Sequence, residues 1–210
     1  MCLILLAWRA HPDYPLVLAA NRDEFHARAA TPACWWRQPQ ILAGRDLQGG
    51  GTWLGVARSG RFAALTNYRD PMLPQLAAPS RGELVPATLT SGASVERTLA
   101  RLAKSGGRYN PFNLIFSDGE QLAVYESVPG AGRVLGPGVY ALSNHLLDTP
   151  WPKVRAAKSA LAAALTRLPD DAALLELLRD ERQADDGQLP RTGVSLEWER
   201  LLSSAFIRAP

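Results

Sequence analysis

The sequence has little of what builds metal centres or disulfide frameworks. Its two cysteines, Cys2 and Cys34, lie too far apart for a redox or zinc motif, and its three histidines, His11, His26 and His145, are isolated. No metal site is therefore expected, and no cofactor, although one histidine or cysteine is enough to ligate haem iron axially and haem stays open. The absence of a disulfide framework points to a reducing, cytoplasmic setting. Lysine is scarce too. Lys104, Lys153 and Lys158 are the whole complement, so the positive charge is almost all arginine. The formal net charge is only +3, the pI is near 9.1, and the arginines are spread along the chain. A nucleic-acid binder concentrates such charge on one face, so nucleic acid is set aside in favour of an anionic small molecule or lipid head group. No apolar run approaches the roughly 20 residues of a membrane helix, so no membrane insertion is expected. The run from Cys2 to Trp8 is short, no basic residue precedes it, and Arg9 and Asp13 follow, which argues against a signal segment.

What is present is an ordinary globular composition, 47% hydrophobic and 20% charged over 210 residues, enough for one domain spanning 1–210. Residues 3–9 and 16–21 read as two strands joined by a Pro/Asp turn, both apolar at nearly every position and so expected to be covered on both faces. Residues 52–58 and 61–67 flank Ser59-Gly60 as a tight hairpin. Between these pairs, 25–51 reads as an irregular functional loop with a short strand near Ile41. Residues 80–90 form an expected helix with a Ser80/Glu83 capping box, and 94–104 a second one stopped by Gly106-Gly107. Strands return at 112–116, 121–127 and 139–143. Thr149 then caps a helix with Pro150 at its first position, running to about Leu168, and Asp170 caps another to about Asp180. Strands, helices, strands and helices in that order give an α+β class, with two antiparallel sheets and a helical layer on each outer side.

The chemistry concentrates near the N-terminus. Removal of Met1 before a small residue makes Cys2 the mature terminus, placing a thiol and an α-amine of pKa roughly 7.7–8.0 on one residue. That is the nucleophile and base of an N-terminal hydrolase. The alternative is a small buried hydrophobe that opens a strand. The second strand ends in Asn21-Arg22-Asp23-Glu24, four polar residues directly after an apolar run, which either serve a site or form a salt-bridged strand end. If the strand continues, Asn21 and Asp23 share one side, and Arg22 and Glu24 the other. Asp23 then holds the Cys2 ammonium, while Arg22 pairs with Glu24 or with substrate. The Gly49–Gly55 stretch lacks the lysine of a phosphate loop and reads as close backbone approach beside the Cys2 pocket. Trp35, Trp36 and Trp53 either wall an apolar ligand site or cover core beneath a loop.

NRDEF at 21–25 after MCLILLA, GRDLQGGGTWLGV at 44–56, LTNYR at 65–69, LSNHLLDTPWPKV at 142–154 and LPRTGVSLEWERLLSS at 189–204 together resemble the NRDE family, also called the transport and Golgi organisation two family. That family is similar to the N-terminal cysteine (Ntn) hydrolases that include bile-salt hydrolase, penicillin V acylase and acid ceramidase. The resemblance implies a four-layer αββα sandwich of two antiparallel sheets with helices outside. It makes Cys2 the nucleophile and Asp23 the aspartate near its amine. Asn67 and Asn144 become the asparagines of the oxyanion hole, where an amide N–H is worth about 3–4 kcal/mol; both can equally be strand-end turn residues. Asn21, Arg22, Trp53 and Arg69 are the candidate binding residues. The implied reaction is hydrolysis of non-peptide amide bonds. The alternative is a non-catalytic carrier of a hydrophobic anionic ligand such as haem, acyl-CoA or lipid, since family members have been linked to haem trafficking and lipid homeostasis. Two departures stand out. The hydrolases carry an arginine where this chain has Ala20, and the chain stops at Pro210, so the expected fold lacks the final strands of longer relatives.

Overall fold

The computed structural model describes residues 2–71 and 77–208. Along the chain run β1 (Cys2–Trp8), β2 (Leu16–Arg22), β3 (Ala30–Trp35), β4 (Ile41–Asp46), β5 (Leu54–Ala57) and β6 (Phe62–Asn67), then α1 (Leu84–Thr90) and α2 (Val95–Ser105). They are followed by β7 (Phe112–Ser117), β8 (Leu122–Glu126), β9 (Ala131–Leu135), β10 (Gly138–Leu142), α3 (Pro152–Leu165), α4 (Ala172–Leu178) and α5 (Leu196–Leu201). The described residues form two compact units, one from 2–23, 69–71 and 136–208, the other from 24–68 and 77–135. Each unit is an antiparallel sheet with helices packed on it, so the α+β expectation with two antiparallel sheets holds.

In the first unit the sheet order is β10-β1-β2. Central β1 is buried at every position, with Leu3, Ile4, Leu5 and Leu6 all at 0% exposure. Each such side chain contributes about 2 kcal/mol by leaving water. Leu3, Leu5 and Ala7 pack with Val154, Ala157, Leu161 and Leu165 of α3, a stripe at helical spacing. The equally apolar β2 does not match the expectation of two covered faces. It is an edge strand, and only Val17 and Ala19 are buried, on the face shared with α3 and α4. Helix α3 also begins two residues later than expected. Pro152, not Pro150, occupies its first position, and a residue before proline is held extended, as Trp151 is at φ −64° and ψ 149°. The Thr149 hydroxyl is engaged elsewhere, donating to the Leu146 carbonyl at 2.7 Å and lying 2.8 Å from His145 Nδ1.

In the second unit seven strands run in sequence order from β3 to β9. The hairpin at Ser59-Gly60 forms as expected, with Gly60 at φ +82°. In the 25–51 segment the expected strand near Ile41 forms as β4, but the rest is not all irregular loop: β3 pairs with β4, with a register shift between Thr31 and Cys34. The Ser80/Glu83 capping box is replaced by one turn of 3-10 helix at Arg81–Glu83, where Ser80 accepts from the Gly82 N–H and Glu83 accepts from the Tyr109 hydroxyl. A core of Leu84, Leu89, Leu102, Phe112, Leu114 and Phe116 joins α1 and α2 to the sheet. No helix among the described residues is long and apolar enough to cross a membrane.

Candidate functional site

Cys2 opens β1, a strand buried at every position, and is itself 8% exposed. Its neighbours come from the ends of the two flanking strands. Across β2 it is in register with Arg22, which is half-buried, and Asp23 follows at once. After β10, Ser143 donates its hydroxyl to the Cys2 carbonyl at 3.0 Å. Asn144, fully buried, accepts the Cys2 N–H on Oδ1 at 3.4 Å. In the 210-residue chain that nitrogen is a peptide amide. It stands where a primary amine lies once Met1 is removed. The Asn144 carbonyl in turn accepts the Arg69 N–H at 2.7 Å.

Arg69 brings a second layer of charge. Its Nη1 lies 3.0 Å from Glu199 Oε2, with both side chains buried, and its guanidinium stacks over Trp151 with Cζ 4.8 Å from the ring centroid. Glu199 is further held by the Thr192 N–H and hydroxyl, each 2.7 Å from Oε1. Lys153, from the first turn of α3, lines a small cavity with Arg69, Trp151 and Glu199. It is 4% exposed, and its Nζ makes no hydrogen bond among the described residues.

The electrostatics follow from burial. Loss of water pushes the Cys2 thiol up to about 11; the ammonium charge at the chain's N-terminus opposes this most, Asp23 adds to it, and Arg22 and then Lys153 oppose it less. Burial likewise raises the Asp23 carboxyl above its ordinary range, with Lys153 pulling it back. Burial lowers Lys153 to about 8, helped by Arg69 and opposed by Asp23, Cys2 and Glu199. Arg69 is lowered to about 10 by burial and upheld by Glu199, and so stays charged at neutral pH. A thiol, a carboxyl, an amide side chain and two cations thus share one buried neighbourhood, an environment of the kind found at catalytic centres.

Not every expected residue joins it. Asn21 points to the helical side, where its amide donates to the Leu178 carbonyl at 2.7 Å and the Ala205 carbonyl at 2.9 Å, closing the end of α4 and the segment after α5. Asn67 and Trp53 belong to the other unit, Asn67 exposed at the end of β6 and Trp53 half-buried before β5. Glu24 lies 3.9 Å from Arg28. Trp35 and Trp36 form no shared wall. Trp36 is core, donating its indole N–H to the Ala43 carbonyl at 2.9 Å, while Trp35 is exposed beneath Arg58. The glycine run does approach another backbone closely, but that backbone is Gly82, whose carbonyl a Cβ at Gly51 would overlap. Asp46 in the same motif accepts the Gln48 and Gly49 N–H groups and pairs with Arg28 at 2.7 Å. Lys153 and Glu199, both inside segments that carried the family resemblance, are the residues sequence reasoning passed over. A lysine in the first turn of an apolar helix, against the helix dipole, was the available signal. Among the described residues no three or more His, Cys, Asp or Glu side chains gather as a metal site.

A family model, Transport and Golgi organisation 2, matches residues 1–210. The chain belongs to that family. The bovine Transport and Golgi organization protein 2 homolog is 39% identical over 217 residues, covering 94% of this chain and 77% of its own. The human homolog is 39% identical over 207 residues, covering 90% of this chain and 74% of its own. Among solved structures, the Caenorhabditis elegans N-acylethanolamine-hydrolyzing acid amidase (NAAA) ortholog aligns over 85% of this chain and 86% of its own, at 10% identity and a TM-score of 0.44.

Proposed function

We propose that the protein is an N-terminal-cysteine hydrolase of non-peptide amide bonds. The observation that carries this reading is the placement of Cys2, whose nitrogen is held by the fully buried Asn144 and whose thiol feels the charges of Asp23 and Lys153. After Met1 removal the Cys2 amine takes the thiol proton as Sγ bonds to the substrate carbonyl carbon. The Asn144 side chain steadies the oxyanion. The amine then delivers the proton to the departing nitrogen as the C–N bond breaks, leaving a thioester. Water adds to that thioester, releases the acid and restores the thiol. Asp23 orients the ammonium form of the amine; Arg22 and Arg69 favour an anionic or acyl-bearing small molecule. Both cysteines are free thiols, which fits action in the cytoplasm.

A second reading has its own observation. Along α3 and α4 runs an open groove of about 900 Å³, floored by Ala156, Ala160, Ala163 and Leu177 and edged by Arg155 and Arg179. An apolar tail on the alanines with an anionic head at the arginines is the binding mode of a non-catalytic carrier of acyl-CoA, lipid or haem. Hydrolysis of a chromogenic fatty-acyl anilide, measured beside binding of a fluorescent fatty acid, separates the two. For the hydrolase, Cys2→Ala loses turnover, Cys2→Ser retains little, and Asp23→Asn binds normally but turns over slowly. For the carrier, all three bind as the wild type does and nothing is hydrolysed.

A further inference from the structure

Two residues that line one small cavity carry three buried donor atoms with no acceptor among the described residues. The atoms are Nε and Nη2 of Arg69 and Nζ of Lys153, in residues that are 9% and 4% exposed. The cavity lies wholly within the three-stranded unit, where Glu199, Ser203 and Trp151 complete its polar and aromatic wall. Burial of charge without matching hydrogen bonds is strongly unfavourable, and here two cations share one wall.

The side-chain acceptors in that wall are already engaged. Glu199 Oε2 takes Arg69 Nη1 at 3.0 Å, and Oε1 takes the Thr192 N–H and hydroxyl at 2.7 Å each. The Ser203 hydroxyl donates to the Arg200 carbonyl at 2.6 Å and accepts the Ala184 N–H at 2.9 Å. The formal charges of Arg69 and Lys153 against Glu199 leave one positive charge over. Helix α3 adds to the same sign, because its first two residues, Pro152 and Lys153, line the cavity and no side chain caps its start.

We propose that Arg69 and Lys153 bind one monatomic anion, chloride, in this cavity. Size and charge both select it. The cavity measures about 10 Å³, close to the space one water-sized particle requires and too little for a carboxylate or a tetrahedral oxyanion. A water molecule must donate as well as accept, and the wall leaves it no free side-chain acceptor; a halide accepts from Nζ, Nε and Nη2 together and cancels the surplus charge. The ion joins the start of α3 to Arg69 and, through Glu199, to α5, which gives the buried lysine the partner that the fold withholds. The halide site stands or falls independently of the chemistry at Cys2.

The test is urea unfolding of the full chain at pH 7 in sodium chloride and in sodium gluconate at one ionic strength, gluconate being too large for the cavity. In gluconate the burial of Lys153 is uncompensated. Chloride is expected to lower the unfolding constant of the parent, by about tenfold at about ten times the dissociation constant of the ion. Lys153→Met is expected to unfold at the same midpoint in both salts. Lys153→Gln, prepared alongside in case the methionine variant does not accumulate, is expected to do the same. A parent with equal midpoints in the two salts overturns the proposal, and so does a neutral variant that responds to chloride as the parent does. Crystals of the parent grown in sodium bromide give the direct readout. An anomalous peak between the Arg69 guanidinium and the Lys153 ammonium is the expected result; no anomalous peak there, as for a water molecule alone, overturns the site.

Discussion

In the seven-stranded unit the buried Asn113 amide donates to Thr66 Oγ1 at 3.2 Å, and the buried Glu126 carboxylate takes Arg133 at 2.6 Å. In the three-stranded unit Arg69 and Glu199 are matched in the same way, but Lys153 beside them is buried with no hydrogen bond to Nζ among the described residues. Buried polar groups are ordinarily hydrogen-bonded, and the contrast lies in the buried cation: Asn113, Glu126, Arg69 and Glu199 each make at least one side-chain hydrogen bond, whereas the Lys153 ammonium makes none among the described residues. The first kind of burial holds an architecture in place. The second leaves a cation buried at a price in stability.

Breaking the matched pair gives the largest effect. Glu199→Ala leaves Arg69 as a buried cation and removes both Thr192 contacts; a loss of about 3–5 kcal/mol is expected from urea unfolding. Each unit draws on segments that are not contiguous in sequence, and we propose that the whole chain forms one domain that unfolds in a single cooperative transition.

Removing the unmatched charge does the opposite. The Lys153 ammonium deprotonates near 10.5 in the unfolded chain and near 8 in the folded protein, so the unfolded state binds more protons between those values. Stability therefore rises with pH across that window. Cys2 runs the other way, its thiol lying at about 11 folded against 9.0 unfolded, and lowers stability from 9 to 11. Lys153→Met abolishes the first trend and retains the second. At pH 7 the variant is expected to be more stable by on the order of 3 kcal/mol. Its advantage shrinks above pH 8 and vanishes near 10.5, as urea midpoints at a series of pH values will show.

Asn21 sharpens the boundary between site and scaffold. Asn21→Ala frees the Leu178 and Ala205 carbonyls and is expected to cost about 2 kcal/mol in urea unfolding, with hydrolysis of the acyl anilide by the folded variant unchanged. Smallest of all is Arg200→Ala at the exposed Asp186 pair, for which no resolvable shift of the unfolding midpoint is expected.

The strands that sequence reading found are those whose side chains answer to a core. β1 is apolar throughout because α3 covers one of its faces and the other is equally buried, and β7 and β8 are buried at every position. The two it missed, β3 and β9, are the edges of the large sheet. β3 is exposed along its whole length and β9 everywhere but Leu135, so neither shows an apolar alternation. β2 misled in the other direction, its apolar residues extending over a half-exposed edge. Within the site, Cys2 and Asp23 were legible because each is anomalous locally, a cysteine after the initiator and an acid after an apolar strand, whereas Asn144, an ordinary strand-end asparagine by itself, was indicated only by the family resemblance. Glu199 was not, because a glutamate in an amphipathic helix is ordinary until Arg69, far away in sequence, is folded against it.

The nucleophile assignment of Cys2 meets its most direct test in the intact mass of the purified protein before and after incubation with a slowly turned-over acyl substrate. The account predicts a chain beginning at Cys2 that gains one acyl group, lost on treatment with hydroxylamine and never formed by Cys2→Ala. A chain that retains Met1, or an acyl adduct that forms equally on Cys2→Ala, would contradict it.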